Sequence, residues 1–439
     1  MIVPGNKLLF WLALLLPFAG FGAMSPDTTI LSLSLFAVFF IIVAVDAVLG
    51  SLRTKTIKID LPDLVRLSKD KNGSIPIMIS NESMKGLSLR VGLPLPEHID
   101  TKQDDLNMTL PERHKDLNVE WECVPRARGS FVINKCFYEI SSPLGFWNAR
   151  SSSDCRAELR VYPNLMNERK KLASIFLNRG NFGMHTQRVV GQGRDFEKLR
   201  DYIPGDGYDD IHWKATAKRG KPVTKLYQIE RTQEIYVVID SSRLSARTNG
   251  SDSALERFIT SALVLGLVAQ QQGDLFGIIT FGDRIKSFIR AGGGKSHYNV
   301  CRDALYTMSP EICSPNFDEL CSFIRLRLRR RALLLILTDL GDPALAQSFI
   351  NNIQMISRQH LILVSMIRQA WLQPLFSESN AESDDDLYEK LGGHMLWNNI
   401  KELDKTLKHR GVGFSLSDNQ KLSTDLVAQY MNIKARQLI

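Results

Sequence analysis

Apolar and polar residues alternate along this chain in three different regimes. Residues 8–23 and 30–45 are almost uninterrupted apolar runs, and Ala47, Val48 and Leu49 extend the second past Asp46. Each approaches the roughly 17–25 residues a helix needs to span hydrocarbon. With the polar turn Ser25-Pro26-Asp27 between them, they predict a transmembrane helical hairpin. From about residue 56 the pattern changes. Residues 56–60, 74–79, 87–91, 118–122, 130–133, 136–140 and 157–161 carry the short, partly alternating runs of strands with one buried face. Turn signals such as Asn72-Gly73 and Arg128-Gly129 separate them, which predicts a small, immunoglobulin-like β-sandwich.

The third regime has continuous apolar runs at 235–239, 275–280, 332–337 and 361–365. Helical patterns alternate with them at 253–271, 298–308, 317–330, 343–358 and 398–410. That alternation predicts a parallel, doubly wound sheet with helices on both faces. The expected architecture is therefore a multi-domain α+β chain: a membrane hairpin over 1–52, a β-sandwich over 53–165 and an α/β domain over 166–439. Residues 170–193, with four glycines, read as the linker into the last of these.

Charge sets orientation more than chemistry. The net charge is +8 over 439 residues, and no basic motif with interleaved aromatics points to nucleic acid. Arg53, Lys55 and Lys58 follow the second apolar run, whereas only Lys7 precedes the first. The positive-inside rule places everything from residue 51 onward in the cytoplasm. A cleaved signal peptide is the alternative for the first run, ending at Phe21-Gly22-Ala23, and it leaves that orientation unchanged. Asp46 is expected at the level of the lipid headgroups. The six cysteines show no CxxC pair and no zinc spacing, so buried free thiols are expected.

The densest chemistry lies in residues 193–242, GRDFEKLRDYIPGDGYDDIHWKATAKRG followed by a strand ending IYVVIDSS. This string resembles the bacterial membrane-protein family called domain of unknown function 58. Arg126-Ala127-Arg128-Gly129, Pro143-Leu144-Gly145-Phe146 and residues 430–438 (YMNIKARQL) extend the resemblance over nearly the whole chain. It implies a von Willebrand factor A-like fold for the α/β domain. It also implies a membrane-anchored, non-enzymatic interaction protein that works with a MoxR-like AAA+ ATPase in the assembly or maturation of other proteins.

A-type domains often carry a metal-ion-dependent adhesion site with an Asp-x-Ser-x-Ser loop. Asp240 and Ser242 match that pattern, but Leu244 stands at the third position and Ser245 one step beyond. Asp339 ends a later strand on the same carboxyl edge, and Ser296 is the substitute for a threonine from a middle loop. Carboxylate and hydroxyl oxygens suit Mg²⁺, so a degenerate, weakly binding site is expected, with one position open for a partner's carboxylate. Arg194, Glu197, Arg200, Asp206, Trp213 and Lys214 are expected to pack as one ion-paired patch that ties the linker onto the sheet, with the Trp213 ring buried. Gly292-Gly293-Gly294-Lys295-Ser296 lacks the first glycine of a phosphate loop and reads as a turn. The basic run 325–331 and acidic run 381–386 read as solvated surface, and His212 as structural. A structural envelope protein and a metal-dependent hydrolase at the membrane surface are the alternatives. Against the hydrolase stands the lack of any nucleophile–base pair at suitable spacing.

Overall fold

The computed structural model describes residues 1–22, 26–82, 86–111, 116–178, 190–228, 233–249, 252–369, 372, 374 and 384–436. The chain divides into two compact units, Met1–Asn164 and Leu165–Ile439.

The first unit begins with strand β1 (Ile2–Pro4) and helices α1 (Asn6–Gly22) and α2 (Pro26–Thr54). Residues Ser32–Thr54 of α2 have a mean hydropathy of 2.6 and are long and apolar enough to cross a membrane. Helix α1 is a shorter apolar helix with Pro17 inside it, so among the described residues the expected pair of spans reduces to one helix that meets the length requirement. Leu33, Val38, Phe40, Ile41 and Val45 of α2 are exposed, an arrangement that hydrocarbon tolerates and water penalises.

Nine strands follow: β2 (Ile57–Asp60), β3 (Leu64–Ser68), β4 (Gly73–Asn81), β5 (Leu87–Gly92), β6 (Ile99–Thr101), β7 (Leu106–Leu110), β8 (Asp116–Pro125), β9 (Gly129–Ser141) and β10 (Trp147–Tyr162). They form one sheet ordered β1-β10-β9-β5-β7, with β3 on β10, and a second ordered β2-β4-β8-β6. Alternate residues from both sheets, among them Ile59, Ile77, Trp121, Leu89, Ile133 and Leu159, fill a single core. The period-two pattern is thus the inner surface of a sandwich.

Asp46 is not at the headgroup level. It is buried in α2, and its carboxylate accepts the Ser142 hydroxyl and the Leu144 and Phe146 amides (2.9 and 3.3 Å) of the β9–β10 turn. The Trp147 indole donates to the Val43 carbonyl one turn away, at 2.9 Å. The spanning helix and the sandwich are therefore joined through a satisfied buried acid.

The second unit opens with α3 (Met166–Asn178), β11 (Val190–Asp201), α4 (Trp213–Arg219) and β12 (Val223–Gln228). Where a linker was expected, α3 places Leu172 in the core, and Glu168 is buried 3.1 Å from Lys171. Next come β13 (Glu234–Asp240), the two-residue ladder β14 (Thr248–Asn249) and β15 (Asp252–Ser253), α5 (Ala254–Gln271), β16 (Leu275–Phe281), β17 (Ile285–Gly292), α6 (Gly294–Leu305) and α7 (Phe317–Arg327). The unit closes with β18 (Leu333–Leu337), α8 (Pro343–Ser357), β19 (Leu361–Ile367), α9 (Asp384–His409), β20 (Val412–Ser417) and α10 (Leu422–Ala435).

Six strands make the sheet β17-β16-β13-β18-β19-β20, parallel except for β17, which runs antiparallel to β16. Ile235, Val237 and Ile239 of β13 pack with α5, α6 and α10, while Tyr236 and Val238 pack with α7, α8 and α9. A strand sends successive side chains to opposite faces, so an all-apolar strand requires cover on both, and both have it. At the amino-terminal edge, buried Asp274 accepts the Gln233 amide (3.2 Å), the Tyr430 hydroxyl and the Lys434 ammonium (2.7 Å), fastening α10 to the sheet.

Candidate functional site

Parallel strands deliver their carboxyl ends to one edge, where open α/β sheets hold ligands. Strands β13 and β18 are neighbours in register, Ile239 opposite Leu337, so Asp240 and Thr338-Asp339 emerge side by side. Asp240 is fully buried. Its Oδ1 accepts the Ser242 amide at 2.8 Å and its Oδ2 accepts the Thr338 hydroxyl at 2.6 Å. Burial is the largest influence on its pKa and raises it; these two donors and the Ser242 hydroxyl act against that, and the negative charge of Asp339 adds to it.

The loop after β13 turns through a short 3₁₀ segment, Arg243–Ala246, with Ser242 as N-cap. The Ser242 hydroxyl accepts the Leu244 amide at 3.4 Å, and the Ser245 hydroxyl donates back to the Ser242 carbonyl at 2.7 Å. Both hydroxyls are therefore engaged in the turn, and Leu244 is buried where a third oxygen was wanted. Asp339 is different. Its Oδ1 accepts the Gly341 amide at 2.8 Å, while its Oδ2 accepts Arg247 Nη1 at 2.7 Å and Gln369 Nε2 at 3.3 Å. Arg247, seven residues beyond Asp240, was not singled out in the sequence, because nothing in linear spacing shows which strand end its side chain reaches.

Ser296 does not join this group. Gly292 at the end of β17 pairs with Phe276 at the start of β16, whereas Asp240 pairs with Phe281 at its end. Five strand residues at about 3.3 Å each put Ser296 at the opposite edge of the sheet. The antiparallel course of β17 is the cause.

Mg²⁺ commonly takes only one or two carboxylates and keeps several waters, so a site here would rest on Asp240 and Asp339. Asp339 already carries the Arg247 guanidinium on Oδ2, so an ion between the two acids would meet a like charge, and the residues as folded do not fit Mg²⁺. The same edge carries a second acidic grouping, Asp283, Glu311 and Cys313. Lys286 lies 3.2 Å from Asp283 and 2.6 Å from Glu311, again an internal cation.

The charged stretch folds differently from expectation. Asp206 accepts Arg200 Nη2 at 2.7 Å, the Ile203 amide at 3.1 Å and the Thr224 hydroxyl at 3.2 Å. The Ile203 amide is the main cause of its lowered pKa, with Arg200 and Thr224 assisting. These partners all lie within 200–224, and β11 and β12 form a two-stranded sheet of their own among the described residues, so the patch closes a hairpin rather than tying a linker onto the sheet. Trp213 is 66% exposed and Lys214 is exposed as well; neither is an anchor. The side chains of Arg194 and Glu197 lie outside the described residues, as do those of the acidic run 381–386. His212 is structural: its Nδ1 accepts the Ala215 amide at 3.0 Å and caps α4. All six cysteines are free. Burial pushes the thiols of Cys136, Cys301 and Cys321 up to about 12, which removes them as nucleophiles.

Residues 198–371 match the sequence model of the family described as "Protein of unknown function DUF58". This is the family that the charged string resembles; the matched region takes in the end of β11, all of β12 and five of the six sheet strands, and leaves the first unit outside it. No curated protein matches the chain. Among solved structures, the chain is similar to a conserved hypothetical protein BatB from Bacteroides thetaiotaomicron (14% identity, 46% of this chain and 99% of that chain, TM-score 0.29). It is similar also to an aerotolerance-related membrane protein from Bacteroides fragilis (13% identity, 46% and 98%, TM-score 0.27). A third is proximal thread matrix protein 1 from the mussel byssus with a zinc-occupied MIDAS motif (14% identity, 45% and 45%, TM-score 0.25). At these scores the likeness carries no argument about fold or function.

Proposed function

We propose that this chain is a membrane-anchored, non-enzymatic interaction protein whose α/β unit, von Willebrand A-like in its resemblance, docks other proteins at the carboxyl edge of its sheet. The observation that carries this reading is the state of that edge. Asp240 is engaged at both oxygens and Asp339 is paired with a half-exposed arginine, an arrangement suited to contact rather than to proton transfer. The apolar helix Ser32–Thr54 supports membrane attachment. The resemblance to the DUF58 family supports a MoxR-like AAA+ ATPase as the partner, with assembly or maturation of other proteins as the task.

The test is reconstitution. The full chain, purified in mild detergent, is mixed with a MoxR-like AAA+ ATPase from the same organism. Co-elution, with a changed rate of ATP hydrolysis, is expected. Separate elution with an unchanged rate overturns the assignment of partner.

A further inference from the structure

We propose that the Arg247 guanidinium holds the position at this edge that a divalent cation holds in metal-bearing A-type domains, making the edge a metal-free receptor for a carboxylate on an acidic segment of the docked protein. The inference rests on the docking reading above and names the group that does the docking.

Oxygen supply is the first argument. Of the five oxygen-bearing side chains that the sequence offers a metal, Asp240 is satisfied by the Ser242 amide and Thr338 hydroxyl, Ser242 caps its own turn, and Ser245 bonds back to the Ser242 carbonyl. Ser296 sits at the far edge. The remaining one, Asp339, has Arg247 Nη1 2.7 Å from Oδ2, with Gln369 on the same oxygen. A cation has thus been supplied, and it is covalently part of the chain.

The second argument concerns what that cation leaves available. A guanidinium carries five N–H donors in a planar fork, and a carboxylate is the ligand that fork matches in two parallel bonds. The Arg247–Asp339 bond uses one donor, and the Arg247 side chain is 55% exposed against 15% for Asp339. Arg247 is thus the outer member of the pair. Arg243, also exposed, lies four residues earlier, and between Asp240 and Asp252 the loop contains these two arginines and no carboxyl group. A bound metal presents positive charge to an incoming acid through an open coordination site; here the loop presents it through the fork.

Neutralisation is the third. Two carboxylates at adjacent strand ends repel unless a charge or a proton intervenes. Arg247 balances Asp339, and Asp240 is held by its own donors, the Ser242 amide and the Thr338 hydroxyl. The pair is therefore stable without an ion.

The experiment uses the full chain in detergent, with calorimetry and melting curves. Mg²⁺ or Mn²⁺ at millimolar concentration is expected to give no binding heat and no change in melting temperature relative to chelator. A capped hexaglutamate peptide is expected to bind in chelator, more weakly at high salt. Arg247→Gln should loosen it about tenfold, the worth of one charge-assisted hydrogen bond, and Arg247→Lys less. Metal-dependent stabilisation of the natural chain that Asp240→Asn abolishes would overturn the proposal, because it means an ion displaces Arg247. Peptide binding that needs Mg²⁺, or that Arg247→Gln leaves unchanged, overturns it as well. Peptide failure with ATPase co-elution intact removes the carboxylate receptor and leaves docking standing. Absence of co-elution with peptide binding intact removes only that partner.

Discussion

At the scale of single residues, Asp240 shows how burial and hydrogen bonding oppose each other in one carboxyl group. Desolvation raises its pKa from the ordinary value near 3.8, and the Ser242 amide and Thr338 hydroxyl recover only part of that shift. A raised pKa in the folded state means that the contribution to stability is complete below about pH 4. It declines as pH rises towards the folded value, since the unfolded chain ionises first. Asp240→Asn removes the ionisation but keeps an acceptor for the Ser242 amide, and its amide nitrogen can donate to the Thr338 oxygen. The variant should melt at or above the natural chain at pH 7, and the gap should close below about pH 4. Melting temperatures of both chains across pH 3–8 decide this. A pH-independent loss of stability in the variant would mean that the carboxylate's own bonds outweigh its burial.

At the scale of elements, the joint between α2 and the β9–β10 turn rests on one side chain. Asp46→Ala would leave the Ser142 hydroxyl and two amides without their acceptor inside a buried joint. At roughly 1–3 kcal/mol for each orphaned group, the loss should be about 3 kcal/mol or more. Urea unfolding in detergent, followed by trypsin cleavage at Arg53 and Lys55, measures it. Cleavage at those sites at unchanged urea concentration would show that the helix and sandwich hold together by packing alone. Asp46 was visible in the sequence as a lone acid in an apolar run. Its partners lie about a hundred residues away in the chain, and linear spacing could not identify them.

At the scale of the whole molecule, the spanning helix and the basic residues after it predict that the sandwich and the second unit lie in the cytoplasm. Cysteines placed at Lys102 and Lys408, each exposed, report on the two units when Cys155 and Cys313 are first replaced by serine. Neither should react with a membrane-impermeant maleimide in intact cells, and both should react after lysis. Labelling in intact cells at both positions reverses the orientation.

The sequence alone determined the features that depend on local periodicity. Alternation in 56–161 specified one buried face per strand, and the sandwich core follows from it. The all-apolar runs 235–239 and 332–337 demanded cover on both faces, and two helical layers provide it. Edge strands β17 and β20 escaped notice, because partial burial blurs their pattern. Tertiary structure alone decided which side chains meet. The reversal of β17 carried Ser296 to the wrong edge, exposure released Trp213 from the core, and the loop after β13 brought Arg247 onto Asp339. Hydrophobic period is a property of neighbours in the chain; charge neutralisation is a property of neighbours in space, and only the folded sheet settles which cation answers which carboxylate.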